Sequence, residues 1–341
     1  MLTEARTGAA RPVRLPVRAT IRSPMRPRRP KRLVPLALAL AALTPSTARA
    51  QAPPSGPVVL LQPATPRAAA LGGVWVAGRD QDVLFYNPAQ LIGARPGFDV
   101  SFMRYGRDAT QTTFTSVYAA GKWSLTLGWG VTLLHFRADP AAAYPYSSDV
   151  VLSGGAAQGS GALVTIGGAI VVKGFRIGAA GKYVVEHVSM PPGFSGADPA
   201  RQSAIVADLG LSRPLFGGTA AAAAQNLGPD SLDAAGLVKL PKQGLFGWSR
   251  TKVAGPLDLL VVGQVTVRDD WTSPAAGLEA GYSWIEGYFV SIRAGVRRPE
   301  SSAEHPYSLG AAFTADRLAI EYGVRFFDGG RAAGGVLVRW R

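Results

Sequence analysis

From residue 97 to the end, hydrophobic and polar positions alternate. In Leu318–Phe326, Leu318, Ile320, Tyr322, Val324 and Phe326 fall on one face, and Ala319, Glu321, Gly323 and Arg325 on the other. In Tyr288–Arg297, the apolar positions Tyr288, Val290, Ile292, Ala294 and Val296 oppose Phe289, Ser291, Arg293, Gly295 and Arg297. Leu278–Trp284, Lys122–Leu133 and Phe175–Val185 follow the same period. Successive side chains of a strand point to opposite faces, so a period of two predicts β-structure.

The pattern predicts strands near Phe98–Tyr105, Gln111–Ala119, Lys122–Phe136, Gly161–Val172, Gly174–Val188, Gln202–Arg213 and Gly217–Gln225. It continues near Leu240–Thr251, Leu257–Arg268, Pro274–Trp284, Tyr288–Arg298, Pro306–Ala315, Arg317–Phe327 and Arg331–Trp340. Gln111–Ala119 and Gly217–Gln225 alternate poorly. Every second connection is a tight turn: Ala120-Gly121, Lys173-Gly174, Pro214–Gly217, Val253–Pro256, Ile285–Gly287 and Asp316. The intervening ones include Arg137–Ser160, Ser189–Arg201, Asn226–Lys239 and Pro299–His305. Short turns on one side and longer loops on the other are the pattern of outer-membrane barrels. An even strand count puts both chain ends on the short-turn side and lets the last strand close against the first, which removes exposed edges.

An apolar strand face can meet the core of a soluble sandwich or the lipid around a barrel. The apolar faces here carry Trp and Tyr near strand ends, as interfacial girdles do. The opposite faces are Gly, Ala and Ser with sparse charges of both signs, whereas a soluble surface would be denser in Lys and Glu. No apolar run approaches the ~20 residues of a helical span. A closed barrel is then the remaining way to satisfy every backbone group in lipid. The expected fold is all-β: a transmembrane antiparallel barrel of about 14 strands over residues 97–341, with a secreted β-sandwich as the competing architecture.

Charge sharpens the picture at the N-terminus. The formal net charge is +14, but the first 50 residues hold eleven Arg or Lys and one acid, which leaves 25 basic and 21 acidic residues downstream. The excess is local, and a nucleic-acid partner is not expected. Arg26, Arg28, Arg29, Lys31 and Arg32 precede the apolar run Leu33–Leu43, and Ala48-Arg49-Ala50 is a small-x-small cleavage site. That is the layout of a secretory signal peptide. Residues 1–50 form the N-terminal extension and signal, with Met1 and Met25 as alternative starts, and residues 51–66 a linker. There is no cysteine, hence no disulfide framework and no lipid-attachment cysteine.

Arg67–Leu91 does not alternate. It carries Gly72-Gly73, the acids Asp80 and Asp82, then Phe85-Tyr86 and Asn87-Pro88-Ala89. Pro88 blocks a continuing helix and restricts Asn87 to extended backbone. Residues 67–96 are expected either to cross the barrel's lower mouth or to plug its lumen.

These motifs resemble a known superfamily. R-x-x-A-L-G-G-V-x-V-A from Arg67, followed by Phe85-Tyr86-Asn87-Pro88-Ala89, looks like the start of FadL/PorV-type outer-membrane proteins. Ala220–Gln225 leading into Asn226-Leu227-Gly228, with Leu240-Pro241 opening a strand, resembles the PorV/PorQ-type branch. Ser291–Arg297, Tyr307–Gly310 and Ala319–Tyr322 add a third match. Gln90 departs from the Gly that usually follows Asn-Pro-Ala, and the loops are shorter than fatty-acid transporters would have. The resemblance implies a non-enzymatic outer-membrane barrel, secretion-associated or structural, with secretion-system proteins as partners. The alternative it implies is FadL-like passive transport of hydrophobic small molecules, recognisable by an apolar pocket opening sideways through a kinked strand.

No catalytic constellation, metal-ligand spacing or cofactor motif stands out. His135, His187 and His305 are the only histidines, all expected at the long-loop surface. Glu279, Arg293, Arg297, Glu321 and Arg325 share the polar parity of neighbouring strands and are the lumen-facing candidates. They pair with one another and dock the N-terminal segment, or they set selectivity and hold a substrate carboxylate.

Overall fold

The computed structural model describes residues 57–106, 109–120, 125–138, 157–189, 200–233, 236–268, 271–300 and 303–341. The expected signal peptide and cleavage site lie outside these residues, as do Lys122, the turn residue Gly121 and the middles of the connections after Arg137 and Ser189.

The first seven strands are β1 (Gly97–Tyr105), β2 (Ala109–Ala120), β3 (Leu125–Ala138), β4 (Ala157–Val172), β5 (Phe175–Ser189), β6 (Ala200–Leu215) and β7 (Gly218–Leu227). A short hairpin, β8 (Ser231–Asp233) and β9 (Gly236–Val238), stands apart from the wall. The wall continues as β10 (Gln243–Ala254), β11 (Leu257–Arg268), β12 (Trp271–Ile285), β13 (Tyr288–Arg297), β14 (Glu304–Ala315), β15 (Leu318–Phe327) and β16 (Arg331–Trp340). These fourteen strands form one closed antiparallel barrel, sealed by β1 against β16 from Phe98↔Trp340 to Tyr105↔Ala333. The strand count and the closure agree with the alternation, and β11 and β16 occupy the residues the sequence predicts.

Period two has become inside and outside. Along β1, Phe98, Val100 and Phe102 are exposed, while Asp99, Ser101, Met103 and Tyr105 are buried. Along β15, Ile320 and Tyr322 are exposed and Ala319, Glu321, Arg325 and Phe327 are buried. The large apolar side chains therefore coat the outer wall, the reverse of a soluble protein. Tyr118, Tyr282, Trp284, Tyr288 and Trp340 sit outward near the short-turn end. The two poorly alternating strands are ordinary members of the wall. β2 turns Gln111, Thr113 and Thr115 inward, so both of its faces are rich in Thr and the contrast vanishes. β7 is half alanine, which marks neither face.

The short turns need left-handed backbone. Lys173 and Gly174 have φ of 49° and 79°, Phe216 and Gly217 53° and 71°, the two successive positive values that match hairpin twist. Two expectations need correction at the β7–β10 connection. Leu240-Pro241 does not open a strand: β10 begins at Gln243, because Pro241 has no N–H to give a ladder. The expected loop Asn226–Lys239 contains the β8–β9 hairpin.

Residues 57–96 run inside the barrel. They comprise a 3-10 turn at Val58–Leu60, helix α1 (Pro66–Ala70) and 3-10 turns at Gln81–Phe85 and Pro88–Gly93. Val59 and Leu60, placed in a linker by the sequence, are buried in the same core as Leu71, Trp75, Leu84 and Leu91. Among the described residues, no helix is long and apolar enough to cross a membrane.

Candidate functional site

The interior segment has irregular backbone away from water, so each N–H and C=O needs a partner. Helix α1 takes its first from the sequence itself: Thr65 caps it and Pro66 stands at its first position. It ends where Gly72 and Gly73 take φ of 75° and 78°, and Gly73 N donates to Ala68 O at 2.8 Å, a glycine stop of the usual kind. Further partners come from polar side chains of the wall. Gln225 Nε2 donates to the carbonyls of Phe85 at 2.8 Å and Tyr86 at 2.9 Å. Gln264 Oε1 accepts from Trp75 N at 3.1 Å and Val76 N at 3.0 Å. Glu186 Oε2 accepts from Val58 N at 2.7 Å.

Asn87, Pro88 and Ala89 are buried against β5 and β6. Asn87 Oδ1 accepts from Ala89 N at 3.0 Å, while its Nδ2 donates to Val76 O at 2.9 Å and to Ala222 O of β7 at 3.3 Å. Pro88 opens the last 3-10 turn, where its missing N–H costs nothing. The wall yields to this turn. A Cβ on Gly178 would run into Ala89 N, and one on Gly210 into Asn87 Oδ1, so both positions require glycine.

The five lumen candidates do not form one cluster. Glu279, Arg293 and Glu321 meet near the short-turn end, with Arg293 bonded to Glu279 at 2.7 Å and to Glu321 at 2.6 Å. Arg67 of the interior segment joins Glu279 at 2.8 Å and also pairs with Asp80. Arg339, fully buried, pairs with Glu321 and reaches Asp99 and Asp80, each at 3.4 Å. Arg341 bonds Asp80 at 2.8 Å. Arg297 and Arg325 sit at the other end, both clamped on Glu304, with Arg297 Nη2 2.6 Å from Glu304 Oε1. Arg297 also reaches Glu300 at 3.3 Å, and Glu300 reaches Arg268 at 3.2 Å.

The carboxyls of the interior segment differ in charge preference. Burial would raise Asp80, but the guanidiniums of Arg339, Arg67 and Arg341 outweigh it and hold the carboxyl below its ordinary range. Burial pushes Asp82 up, and Arg339 with the hydrogen bonds from Thr65 and Trp75 offsets only part of this. A carboxyl follows its nearest charges when they are close and desolvation when they are not.

Between the interior segment and the long-connection end lies a cavity of about 100 Å³. Val59, Leu60, Phe85, Leu163 and Leu245 form its apolar side, Gln111, Gln225, Gln243 and Gln264 its polar side, and Arg268, Arg297 and Arg325 its rim. Ligand pockets commonly measure ~300–1,000 Å³, so the chamber is a narrowed one. The lumen is neither open nor wholly filled. Register shifts interrupt the wall at β6–β7, β12–β13 and β14–β15, but each pair remains hydrogen-bonded on both sides of its shift. The chamber itself is lined by inward-facing residues and does not open sideways through a kinked strand.

The Gln225-Asn226 motif has a structural meaning. Asn226, at φ 57°, is the extra residue of the β6–β7 bulge, a local insertion that aims neighbouring side chains. Its N–H is held by Asp208 Oδ1 at 2.9 Å, its Oδ1 by Lys182 at 3.2 Å, and its Nδ2 donates to Pro241 O at 2.9 Å. Lys182 pairs with Asp208 at 2.7 Å. Arg339 and Asp99 were legible as inward parity positions on their strands. Arg67 and Asp80 had no such signal, because the interior segment has no period.

No protein-family model and no curated protein sequence matches the chain. Solved structures do. The toluene transporter TbuX of Ralstonia pickettii matches with a TM-score of 0.53 at 14% identity, over 81% of this chain and 98% of that one. The toluene transporter TodX of Pseudomonas putida matches with a TM-score of 0.50 at 10% identity, over 80% and 95%. A TodX deltaS2S3 mutant, described as a monoaromatic hydrocarbon channel, matches at 0.51 and 11% identity over 81% and 98%. The chain has the fold of the FadL-type outer-membrane barrels. The narrower resemblance to the PorV/PorQ branch, and the secretion role it implied, find no support in these likenesses.

Proposed function

We propose that this chain is a passive outer-membrane transporter for small hydrophobic molecules, with its N-terminal segment a plug that is closed in this structure. The observation that carries the reading is a chamber left between an interior N-terminal plug and the barrel wall, in a fold shared with toluene transporters. The outward belt of Phe98, Val164, Ile166, Ile205, Ile292 and Val338 supports placement in lipid, with the short turns periplasmic and the long connections outside. The signal-like N-terminus supports export. A molecule entering from outside meets the arginine rim, then the apolar side of the chamber, and passes inward when the plug shifts. The barrel wall is the rigid part and the plug the part that moves, because the plug contributes no ladder hydrogen bonds. Chemistry on the cargo is no part of this reading.

The test is uptake of labelled toluene by a Gram-negative host lacking such a transporter of its own. Cells making the folded protein should take it up faster than cells with the empty vector. Equal uptake, with heat-modifiable protein present in the outer-membrane fraction, would overturn the reading.

A further inference from the structure

A second site lies on the outside of the barrel. Near the long-connection ends of five adjacent strands, Thr110 of β2 pairs with His135 of β3, His135 with Ser160 of β4, Ser160 with His187 of β5, and His187 with Arg201 of β6. Register places these five side chains in one row. Parity places the row on the outer wall, since the neighbours Gln111, Leu134 and Glu186 are buried. The next outward row, Thr112, Leu133, Ala162, Val185 and Ser203, starts the apolar belt that continues through Val164, Tyr183 and Ile205. Neither row contains a carboxylate.

A depression of about 400 Å³ opens at this place, lined among others by His135, Ser160, Ala162 and His187. It exists because Ser160 and Ala162 are small while the strands on either side carry imidazoles. Strands are ~4.8 Å apart, so the two imidazoles stand about 10 Å from each other across the serine. Two imidazoles, two hydroxyls and a guanidinium form a row of hydrogen-bond donors with cationic character at one end. Such a row suits a tetrahedral oxyanion. The apolar shelf directly below it suits an acyl chain, and the surrounding belt is already a lipid-facing surface.

We propose that this row is a headgroup site for a phosphate-bearing lipid of the outer leaflet. The phosphate sits over Ser160 between His135 and His187, Arg201 supplies the opposing charge, and an acyl chain lies along Ala162. The inference rests on the outer-membrane placement and is independent of what the lumen carries. The lipid is the expected source, rather than free phosphate, because the donors stand at the upper border of an apolar belt and not in a closed pocket.

Native mass spectrometry of the full folded chain tests it, with diphosphoryl lipid A and its dephosphorylated form as probes. The wild-type protein should retain the diphosphoryl form preferentially. The variant H135A/H187A/R201A should lose about tenfold in occupancy, the equivalent of one charge-assisted contact. Ser160→Trp, which fills the depression and removes no donor but the hydroxyl, should block retention as well, and it decides the matter if the triple variant does not fold. Millimolar inorganic phosphate should leave the lipid in place. Equal retention of the two lipids, equal retention by the variants and wild type, or complete displacement by inorganic phosphate would each overturn the proposal. Recovery of the protein in the outer-membrane fraction is scored separately, so a failure of placement is distinguished from a failure of the site.

Discussion

The Arg67–Asp80–Arg339 network and the Arg297–Glu304–Arg325 network hold the same side-chain types inside one lumen, yet they join different things. The first crosses from plug to wall: Arg67 and Asp80 belong to the plug, and Glu279, Glu321 and Arg339 to β12, β15 and β16. The second joins wall to wall, with Glu304 of β14 held by Arg297 of β13 and Arg325 of β15. Buried pairs add little net stability over apolar packing, but removing one partner strands the other. Cutting the first network should therefore loosen the plug, and cutting the second should alter only the chamber's rim.

The chain has no cysteine, so Ala77→Cys in the plug, whose own side chain is buried, supplies a labelling reporter of plug release. In that background Arg339→Ala should have the largest effect. It leaves Asp80, Asp99 and Glu321 short of a partner, at a cost of about 3–5 kcal/mol. Maleimide labelling should rise sharply and the heat-modification midpoint should fall; unchanged labelling would mean that the network does not hold the plug.

Acid should act next, through Asp80. Its folded-state pKa is depressed, so its contribution is present above the ordinary carboxyl range near 4 and is lost as pH falls below it. Asp82 is shifted the other way and binds its proton more readily in the folded state. The thermal unfolding midpoint should fall on going from pH 6 to pH 3, and Asp80→Asn should flatten or reverse that slope. An unaltered slope in Asp80→Asn would assign the acid response elsewhere.

Gln225→Ala removes two hydrogen bonds to plug carbonyls and should cost about 1–3 kcal/mol, with a moderate rise in labelling. Glu304→Gln should cost about 1–2 kcal/mol in thermal stability without raising labelling, since Arg297 keeps Glu300 nearby. A rise equal to that of Arg339→Ala would erase the distinction between the networks. The smallest change is expected from Asn87→Ser, which keeps the cap on Ala89 but loses the amide donor to Val76 and Ala222, for about 1 kcal/mol.

The wall and the plug also differ in how much of them the sequence shows. Fourteen strands, the closure of β16 on β1 and the outward apolar face follow from local alternation and turn residues, because a strand in lipid must repeat every two residues whatever lies across from it. Lys173-Gly174 marks its turn without help from any distant residue. The five inward charges were visible by the same parity, but their division into two groups was not. Parity fixes the face a side chain points to, while height along the barrel depends on the stagger between strands. The Asn226 bulge, by contrast, looked like a loop opening.

Alternation and the turn residues together therefore determined the expected barrel, its strand number and the side each residue faces. Only the tertiary structure decided that residues 57–96 fold into the lumen, that Gly178 and Gly210 are the floor beneath Asn87-Pro88-Ala89, and that Arg67 meets Glu279 across 212 positions of sequence. It likewise assembled the outer row from Thr110 to Arg201, whose members are unremarkable one by one. The reason is physical. Period two is imposed on each strand by its own neighbours and by lipid, whereas the fit of an irregular segment in a lumen is imposed by side chains from many strands at once, none of which is close in sequence.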